Sequence, residues 1–294
     1  MNGNERVVCY LDLLGFSNYT KSNPKGALWL LDNYQTILHE TIRDGASDTP
    51  VPTTLKKLHE MNLVSSFEYF IPFSDSIFIT SKEIDDFIFQ VSSFLIKCFW
   101  LTADKYTYPV NKADPCYVSN GEWWYPTFFR GGMAFGKVIP FELESIKTKN
   151  LTKVTNLTGE ALVQAVGLER TDKGPRLFCS LGVQQRVEKA QHFIVSKNSI
   201  FEVLWPMRLF SDENSVDSEV QKIDEIFIQA SNLYNAYGMI NDIGKHYLEF
   251  IKLISHSSLQ YFNSRKCISK AKDRLSRLIN QFNLGNIKDD LLTF

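Results

Sequence analysis

Residues 7–17 read Val-Val-Cys-Tyr-Leu-Asp-Leu-Leu-Gly-Phe-Ser, and this stretch decides the fold of the chain. Its first five residues are apolar or aromatic without interruption, as in a strand that is buried on both faces. Asp12 ends this strand, where an ionised carboxylate is unfavourable unless a cation holds it. Gly15 and Ser17 follow in a turn whose amides could face an anion. Such a stretch can hold a divalent metal against a triphosphate. Alternatively, Asp12 caps a helix and Gly15 eases the turn.

The composition limits the classes of function. The 294 residues include 32 Lys and Arg against 33 Asp and Glu, which argues against a dedicated nucleic-acid or membrane-surface binder. The five cysteines are far apart and form no Cys-x-x-Cys motif, so we interpret them as reduced core residues. The N-terminus carries no signal-peptide pattern, and no apolar run is long enough to span a bilayer. We therefore expect a cytoplasmic protein.

A second aspartate follows at the tip of a predicted hairpin. Residues 67–73 and 76–80 are rich in aromatic and β-branched residues and surround a tight turn at Ser74 and Asp75. A helix is predicted before this hairpin, over residues 27–41 with Leu28 on its apolar face, and another after it, over 84–100. The pattern places Asp75 at a loop tip between two strands.

The remaining segments complete the pattern. A loop or arm with many aromatics covers residues 103–127, and residues 128–141 form a glycine-rich, hairpin-like stretch. A helix is predicted over residues 159–169, with strands over 176–180 and 192–196. The order of elements predicts an α/β fold of the ferredoxin-like βαββαβ type over residues 1–210. Residues 211–294 are predicted to form a helical C-terminal extension, with core positions spaced by three and four.

Asp12 and Asp75 are expected to converge on one sheet edge, where two carboxylates could hold two divalent ions against phosphate oxygens. Over residues 5–200 the chain resembles the class III nucleotidyl cyclases. The matching motifs are Tyr10-Leu-Asp-Leu-Leu-Gly-Phe-Ser17, Ser74-Asp-Ser76, Arg130-Gly-Gly-Met-Ala-Phe-Gly-Lys-Val138 and Gly159-Glu-Ala-Leu-Val-Gln-Ala-Val-Gly-Leu-Glu169. The resemblance implies Mg²⁺ or Mn²⁺, two per site, and a head-to-tail homodimer whose active sites lie at the interface.

Several positions depart from the family pattern. Ile71 stands where purine cyclases carry a base-reading lysine, and Asn156 stands where they carry its aspartate partner. An asparagine amide has both a donor and an acceptor and can pair with a pyrimidine edge. The transition-state Asn and Arg of the family correspond to Val163 and Gly167. Arginine side chains elsewhere could substitute at the phosphates; the candidates are Arg130, Arg170 and Arg176.

This divergent set resembles most the Pycsar pyrimidine cyclases of bacterial antiphage defence. That resemblance implies conversion of UTP, favoured over CTP, to the 3′,5′-cyclic monophosphate, which activates a separate effector. Tyr69 shares a strand face with Ile71 and could stack on the base or belong to the core. The predicted catalytic residues are Asp12, Asp75 and Arg130, and the predicted metal ligands are Asp12, Leu13 and Asp75. The predicted substrate-binding residues are Leu13, Leu14, Gly15, Phe16, Tyr69, Asn156 and Arg176.

Three alternatives stay open. The nearest is a purine cyclase with an unorthodox base pocket. The second is a catalytically inactive cyclase-like domain, which the missing Asn and Arg favour. The third is an interaction protein that works through the aromatic arm and a basic C-terminal helix with charges between Arg265 and Arg277.

Overall fold

The computed structural model describes residues 4–22, 24–44, 65–103, 127–147, 150–211, 214–238 and 241–293. Apart from its two ends, the predicted aromatic arm lies outside these residues. Within the described ranges, no helix combines the length and apolar character that crossing a bilayer requires.

An eight-stranded mixed sheet forms the centre of the fold. Its strands are β1 (Asn4–Leu13), β2 (Tyr69–Phe73), β3 (Ser76–Ser81), β4 (Phe129–Lys147), β5 (Asn150–Thr158), β6 (Leu177–Cys179), β7 (Ile194–Lys197) and β8 (Ile200–Val203). Seven of them lie in the order β2-β3-β1-β4-β6-β8-β7, and β5 pairs with the second half of β4. The pairing of β4 with β6 is parallel, and the other pairings described are antiparallel.

Helices cover the sheet and continue beyond it. The described α-helices are α1 (Phe16–Ser22), α2 (Pro24–Asp44), α3 (Ile84–Ala103), α4 (Glu160–Glu169), α5 (Leu181–Gln184), α6 (Val216–Tyr237), α7 (Asn241–Ser264), α8 (Ile268–Gln281) and α9 (Lys288–Leu292). Short 3-10 helices occupy Gln191–Phe193, Trp205–Leu209 and Gly285–Ile287.

The connections confirm the predicted fold class. Strand β1 lies between β3 and β4 and is antiparallel to both. Helix α2 lies in the connection from β1 to β2, and α3 lies in the connection from β3 to β4. This split βαβ arrangement is the ferredoxin-like pattern. The protein therefore has the predicted α/β fold with a helical C-terminal region.

The predicted hairpin at residues 128–141 is wrong, because this stretch is one continuous strand. Its first half pairs with β1, and its second half forms a hairpin with β5, which the sequence patterns did not reveal. The glycines serve close packing instead of a turn. A Cβ at Gly132 would lie 2.0 Å from the carbonyl oxygen of Ala165, so α4 packs directly on the β4 backbone.

The side chains on the two faces of β1 pack in two separate hydrophobic clusters. Val7, Cys9, Leu11 and Leu13 face the main core beside α2 and α3, and Val8 lies on the other face with α4. Burying a leucine side chain stabilises the fold by about 1.5–3 kcal/mol, so this strand anchors both layers. The predicted apolar face of α2 is partly wrong, since Leu28 is exposed. The buried side chains of this helix include Ala27, Leu30, Tyr34, Ile37, Leu38 and Thr41.

The C-terminal helices pack on the sheet domain. The predicted spacing is confirmed on α6, where Ile223 and Phe227 are buried, and on α8, where Leu275 is buried. Phe250 of α7 stacks on Trp205 with ring centroids 5.5 Å apart. One hydrophobic core thus runs across the predicted boundary at residue 210, which stays a prediction.

Candidate active site

The two predicted metal-binding aspartates lie at one edge of the sheet. In the strand register Asp12 is opposite Ser76 of β3 on one side and Arg130 of β4 on the other. The backbone N–H of Leu13 donates to the carbonyl oxygen of Asp75 at 2.9 Å. The end of β1 is therefore fastened to the tip of the β2–β3 hairpin, which brings Asp12 and Asp75 together.

Both oxygens of the Asp12 carboxylate have partners. Oδ2 accepts from Nη2 of Arg130 at 3.1 Å and from its Nε at 3.3 Å. Oδ1 accepts from the Ser76 hydroxyl at 3.0 Å, and the Tyr10 hydroxyl lies 2.9 Å from that of Ser76. The Asp12 side chain is 20% exposed and that of Arg130 is 32% exposed. The cation that a carboxylate at this strand end requires is thus Arg130 in the described structure.

Negative charge concentrates around Tyr10. Burial raises the pKa of its phenol, and the charges of Asp12, Glu169 and Asp75 raise it further, against a hydrogen bond with Ser76 that lowers it. Three carboxylates therefore act on one side chain at this sheet edge. Such a field favours cations.

Glu169, which the sequence reasoning did not include in the site, forms an ion pair with Arg130. It is the last residue of α4 and its side chain is only 4% exposed. Burial raises the pKa of Glu169, and the charge of Arg130 opposes that rise while the charge of Asp12 adds to it. A signal was available: Ala161, Ala165 and Glu169 share a helical spacing of four, which places an acid on the buried face.

The predicted phosphate cradle over Leu13–Phe16 has fewer free amides than the sequence suggested. Leu13 N–H donates to Asp75, and Leu14 N–H donates to the carbonyl of Phe128 at 2.8 Å. Leu13 and Leu14 therefore do not offer these amides to a phosphate. Gly15 adopts a positive φ of 78° and leads into α1 at Phe16. A role for Gly15 and Phe16 stays a prediction.

Tyr69 lies on the sheet face that carries Asp12, together with Tyr10, Ile71 and Phe78. It is aligned through Thr80 with Val8, so it stands four residues, or about 13 Å, from Asp12 along the strands. A role for Tyr69 at the base stays a prediction.

Asn156 lies on β5, a strand that contacts β2. It pairs with Phe141 in the second half of β4, beyond the residues of β4 that pair with β1. Its Oδ1 accepts from the backbone N–H of Leu157 at 2.8 Å. The neighbouring Leu157 belongs to the same buried cluster as Tyr69 and Ile71, so Asn156 lies beside the strand that carries the predicted base positions.

Arg176 is held by carboxylates. Its Nε and Nη2 donate to Glu202 at 2.6 and 2.5 Å, and its Nη1 donates to Asp172 at 2.7 Å and to Glu249 at 3.3 Å. The structure engages all three nitrogens, so we leave Arg176 out of the proposed site. Arg170 is 79% exposed and lies 3.9 Å from Glu169.

The chemistry of the edge suits a hard divalent cation. Carboxylate and carbonyl oxygens are the ligands of Mg²⁺, which is commonly bound by one or two carboxylates together with substrate phosphates. Asp12, Asp75 and the Leu13 carbonyl fit that requirement. In the part of the chain that is described, no group of three or more His, Cys, Asp or Glu side chains is placed to hold a metal ion.

Comparisons with known proteins concern the fold. No protein-family model matches the chain, and no curated protein matches it. Among solved structures, a bacterial light-regulated adenylyl cyclase is 17% identical with a TM-score of 0.42, covering 69% of this chain and 90% of its own. The guanylyl cyclase Cya2 is 13% identical with a TM-score of 0.44, covering 69% and 94%. The adenylyl cyclase CyaB from P. aeruginosa is 12% identical with a TM-score of 0.42, covering 69% and 96%. At these values the comparison assigns no role to any residue of this chain.

Proposed function

We propose that this protein is a metal-dependent nucleotidyl cyclase that converts a pyrimidine nucleoside triphosphate to its 3′,5′-cyclic monophosphate and pyrophosphate. The observation that carries the proposal is the meeting of Asp12 and Asp75 at one sheet edge, beside Arg130. Two carboxylates and a partly exposed guanidinium are a suitable set for positioning a triphosphate and its cations.

Each residue has a defined role in this proposal. Asp12 and Asp75, with the Leu13 carbonyl, hold two Mg²⁺ or Mn²⁺ ions. When bound, these ions favour ionisation of the ribose 3′-hydroxyl and neutralise charge on the phosphates. Arg130 donates to phosphate oxygens as negative charge develops on them. It replaces the transition-state arginine of the family, whose position Gly167 occupies in this chain. Ser76 orients Asp12 through its hydrogen bond.

The base is proposed to be a pyrimidine, with UTP favoured over CTP. Ile71 and Tyr69 give the sheet face near the site a half-buried, apolar and aromatic character without a lysine at position 71. Asn156 supplies a donor and an acceptor for the base edge. Asn156 lies on β5, which contacts the strand that carries Tyr69 and Ile71, so these residues can act on one base. The resemblance to class III cyclases implies active sites at a subunit interface, so the proposal includes a homodimer.

The biological role follows from the resemblance of the motifs. We propose that the cyclic nucleotide is a second messenger of antiphage defence in the cytoplasm and acts on a separate effector protein. This effector responds to the product and need not bind the cyclase.

The test is to incubate the purified chain separately with ATP, GTP, CTP and UTP in the presence of Mn²⁺ and to identify products by mass. We expect a cyclic pyrimidine nucleotide from the wild type and none from Asp12→Ala or Asp75→Ala. Asp217→Ala is the matched control, since this aspartate is 80% exposed and pairs with Lys270 on the C-terminal helices. Near-normal turnover by either site variant contradicts the proposed metal ligands, and a cyclic purine product contradicts the pyrimidine assignment.

A second candidate is an inactive cyclase-like domain. The observation that favours it is Val163, which is 75% exposed on α4 and stands where the family carries its transition-state asparagine. This candidate predicts nucleotide binding without any product. The basic-helix alternative is weakened, because Lys270 and Arg274 of α8 pair with Asp217 and Asp224 of α6.

A further inference from the structure

Arg130 lies between two acidic side chains at the sheet edge. Its Nη2 is 3.1 Å from Oδ2 of Asp12, and its Nε contacts both this oxygen and Oε1 of Glu169. One guanidinium therefore serves two carboxylates, one at the predicted metal position and one behind it.

The two carboxylates differ in their freedom to move. Glu169 is 4% exposed and ends α4, which packs so closely on Gly132 that a Cβ there would lie 2.9 Å from the Glu169 backbone nitrogen. Asp12 is 20% exposed at the open edge. Glu169 is thus a fixed counter-ion, and Arg130 is the long side chain that can turn about it.

We infer that Glu169 is a positioning residue that acts through Arg130, and this inference rests on the proposed function. When Asp12 binds a divalent cation, Glu169 keeps its ion pair with Nε of Arg130. The terminal nitrogens of Arg130 then face the phosphates instead of Asp12.

The physical reason is competition for one oxygen. A guanidinium on Oδ2 of Asp12 competes with a divalent cation for the same negative charge. Glu169 offers Arg130 a second carboxylate, which lowers the free energy of releasing Asp12. Without that charge Arg130 binds Asp12 more strongly, and a cation must displace it.

The experiment measures Mn²⁺ binding to the full chain by calorimetry, without nucleotide. Glu169→Gln is expected to weaken Mn²⁺ binding about tenfold, the size of one charge-assisted hydrogen bond. Adding Arg130→Gln to Glu169→Gln removes the competitor, so the double variant is expected to regain an affinity within about threefold of the wild type. This double variant also avoids an unpaired buried charge, so failure to fold does not obscure the result.

The matched control is Glu202→Gln. Glu202 is a buried glutamate that pairs with an arginine, Arg176, away from the aspartates. Its substitution is expected to leave Mn²⁺ affinity unchanged within about twofold, since Arg176 keeps other carboxylates.

The outcomes separate the inference from the proposed function. The inference is overturned if Glu169→Gln binds Mn²⁺ like the wild type, or if the double variant stays as weak as Glu169→Gln. The wild type and the variants can show the expected Mn²⁺ affinities while the wild type makes no cyclic product from the four nucleotides. That result refutes the proposed function and leaves the inference standing. A wild type that does not bind Mn²⁺ without nucleotide overturns the inference, whereas the product assay with the four nucleotides decides the function.

Discussion

Two arginines, Arg130 of β4 and Arg176 at the start of β6, reach the same side of the sheet with opposite consequences. Arg130 is 32% exposed and pairs with Asp12 and Glu169 at the open edge. Arg176 is 19% exposed and pairs with Glu202, Asp172 and Glu249. Both were candidates for phosphate binding from sequence, and both are surrounded by acids.

The two arginines differ in which elements of the fold cover them. Glu249 belongs to α7, so the C-terminal helices complete the partners of Arg176 and leave it a structural role. Burial lowers the pKa of Arg176, but its bond to Glu202 and the neighbouring acids raise the pKa above the ordinary value. Arg130 has no such cover among the described residues. An arginine becomes a candidate catalytic group when its acids leave one side of it open to a ligand.

The strongest test of this comparison is activity after removal of each arginine. Arg130→Ala is expected to lower kcat about 10²–10³-fold, because a donor to the developing charge is lost. Arg176→Ala is expected to keep kcat within about threefold per folded molecule, because its nitrogens are already engaged. Turnover is measured with UTP and Mn²⁺ and normalised to the folded fraction. Equal losses in both variants would remove the distinction.

The reverse comparison concerns stability. Arg176→Ala leaves Glu202, which is 9% exposed, without its bidentate partner. We expect a loss of about 3 kcal/mol in the free energy of unfolding, as for breaking a buried ion pair. Urea unfolding followed by circular dichroism measures it, with Lys153→Ala as a control because its pair with Glu142 is exposed on both sides. A loss no larger than in that control contradicts a structural role for Arg176.

The pH dependence of stability distinguishes Glu169, whose pKa is raised chiefly by burial, from Glu68, whose pKa is lowered chiefly by its hydrogen bond with Arg6. The pKa of Glu169 is raised above its ordinary 4.5, chiefly by burial, so the native state keeps a proton that the unfolded state releases as pH rises. Wild-type stability should therefore fall as pH rises from about 4.5 through the raised pKa of Glu169. Glu169→Gln lacks this component, so its stability relative to the wild type should increase with pH.

Glu68 gives the opposite sign as a control. Its hydrogen bond with Arg6 lowers the pKa of Glu68, so its contribution is present above the ordinary pKa and is lost on acidification. Glu68→Gln should lose stability relative to the wild type as pH rises. Urea unfolding of both variants is measured between about pH 3 and pH 7, the range in which carboxyl groups titrate. Slopes of the same sign in both contradict this account.

The smallest expected effect comes from α4, which carries Glu169. A Cβ at Gly167 meets nothing within 4 Å, so Gly167→Ala should stabilise the protein by roughly 0.5–1 kcal/mol through helix propensity. Gly132→Ala is the matched substitution at the contact with β4, and we expect it to destabilise by about 2 kcal/mol and to reduce turnover. Thermal unfolding measures both. A neutral Gly132→Ala would show that the close packing does not position Glu169.

Local patterns were enough for much of the fold. Hydrophobic runs and turn residues predicted β1, the hairpin with Asp75 at its turn and the helix that ends at Glu169, because these features depend on neighbours in sequence. The same reasoning misread residues 128–141, where glycines allow close packing against α4 instead of a turn. It also missed β5 and β8, although each forms a tight hairpin with the strand before it.

The sequence by itself determined the ferredoxin-like order of elements and the two aspartates at strand ends. Only the tertiary structure decided which arginine lies beside Asp12, that Glu169 stands behind it, and that β5 brings Asn156 beside the strand of Tyr69 and Ile71. The physical reason is that ion pairs and burial depend on the register of strands separated by more than a hundred residues. No local propensity specifies that register.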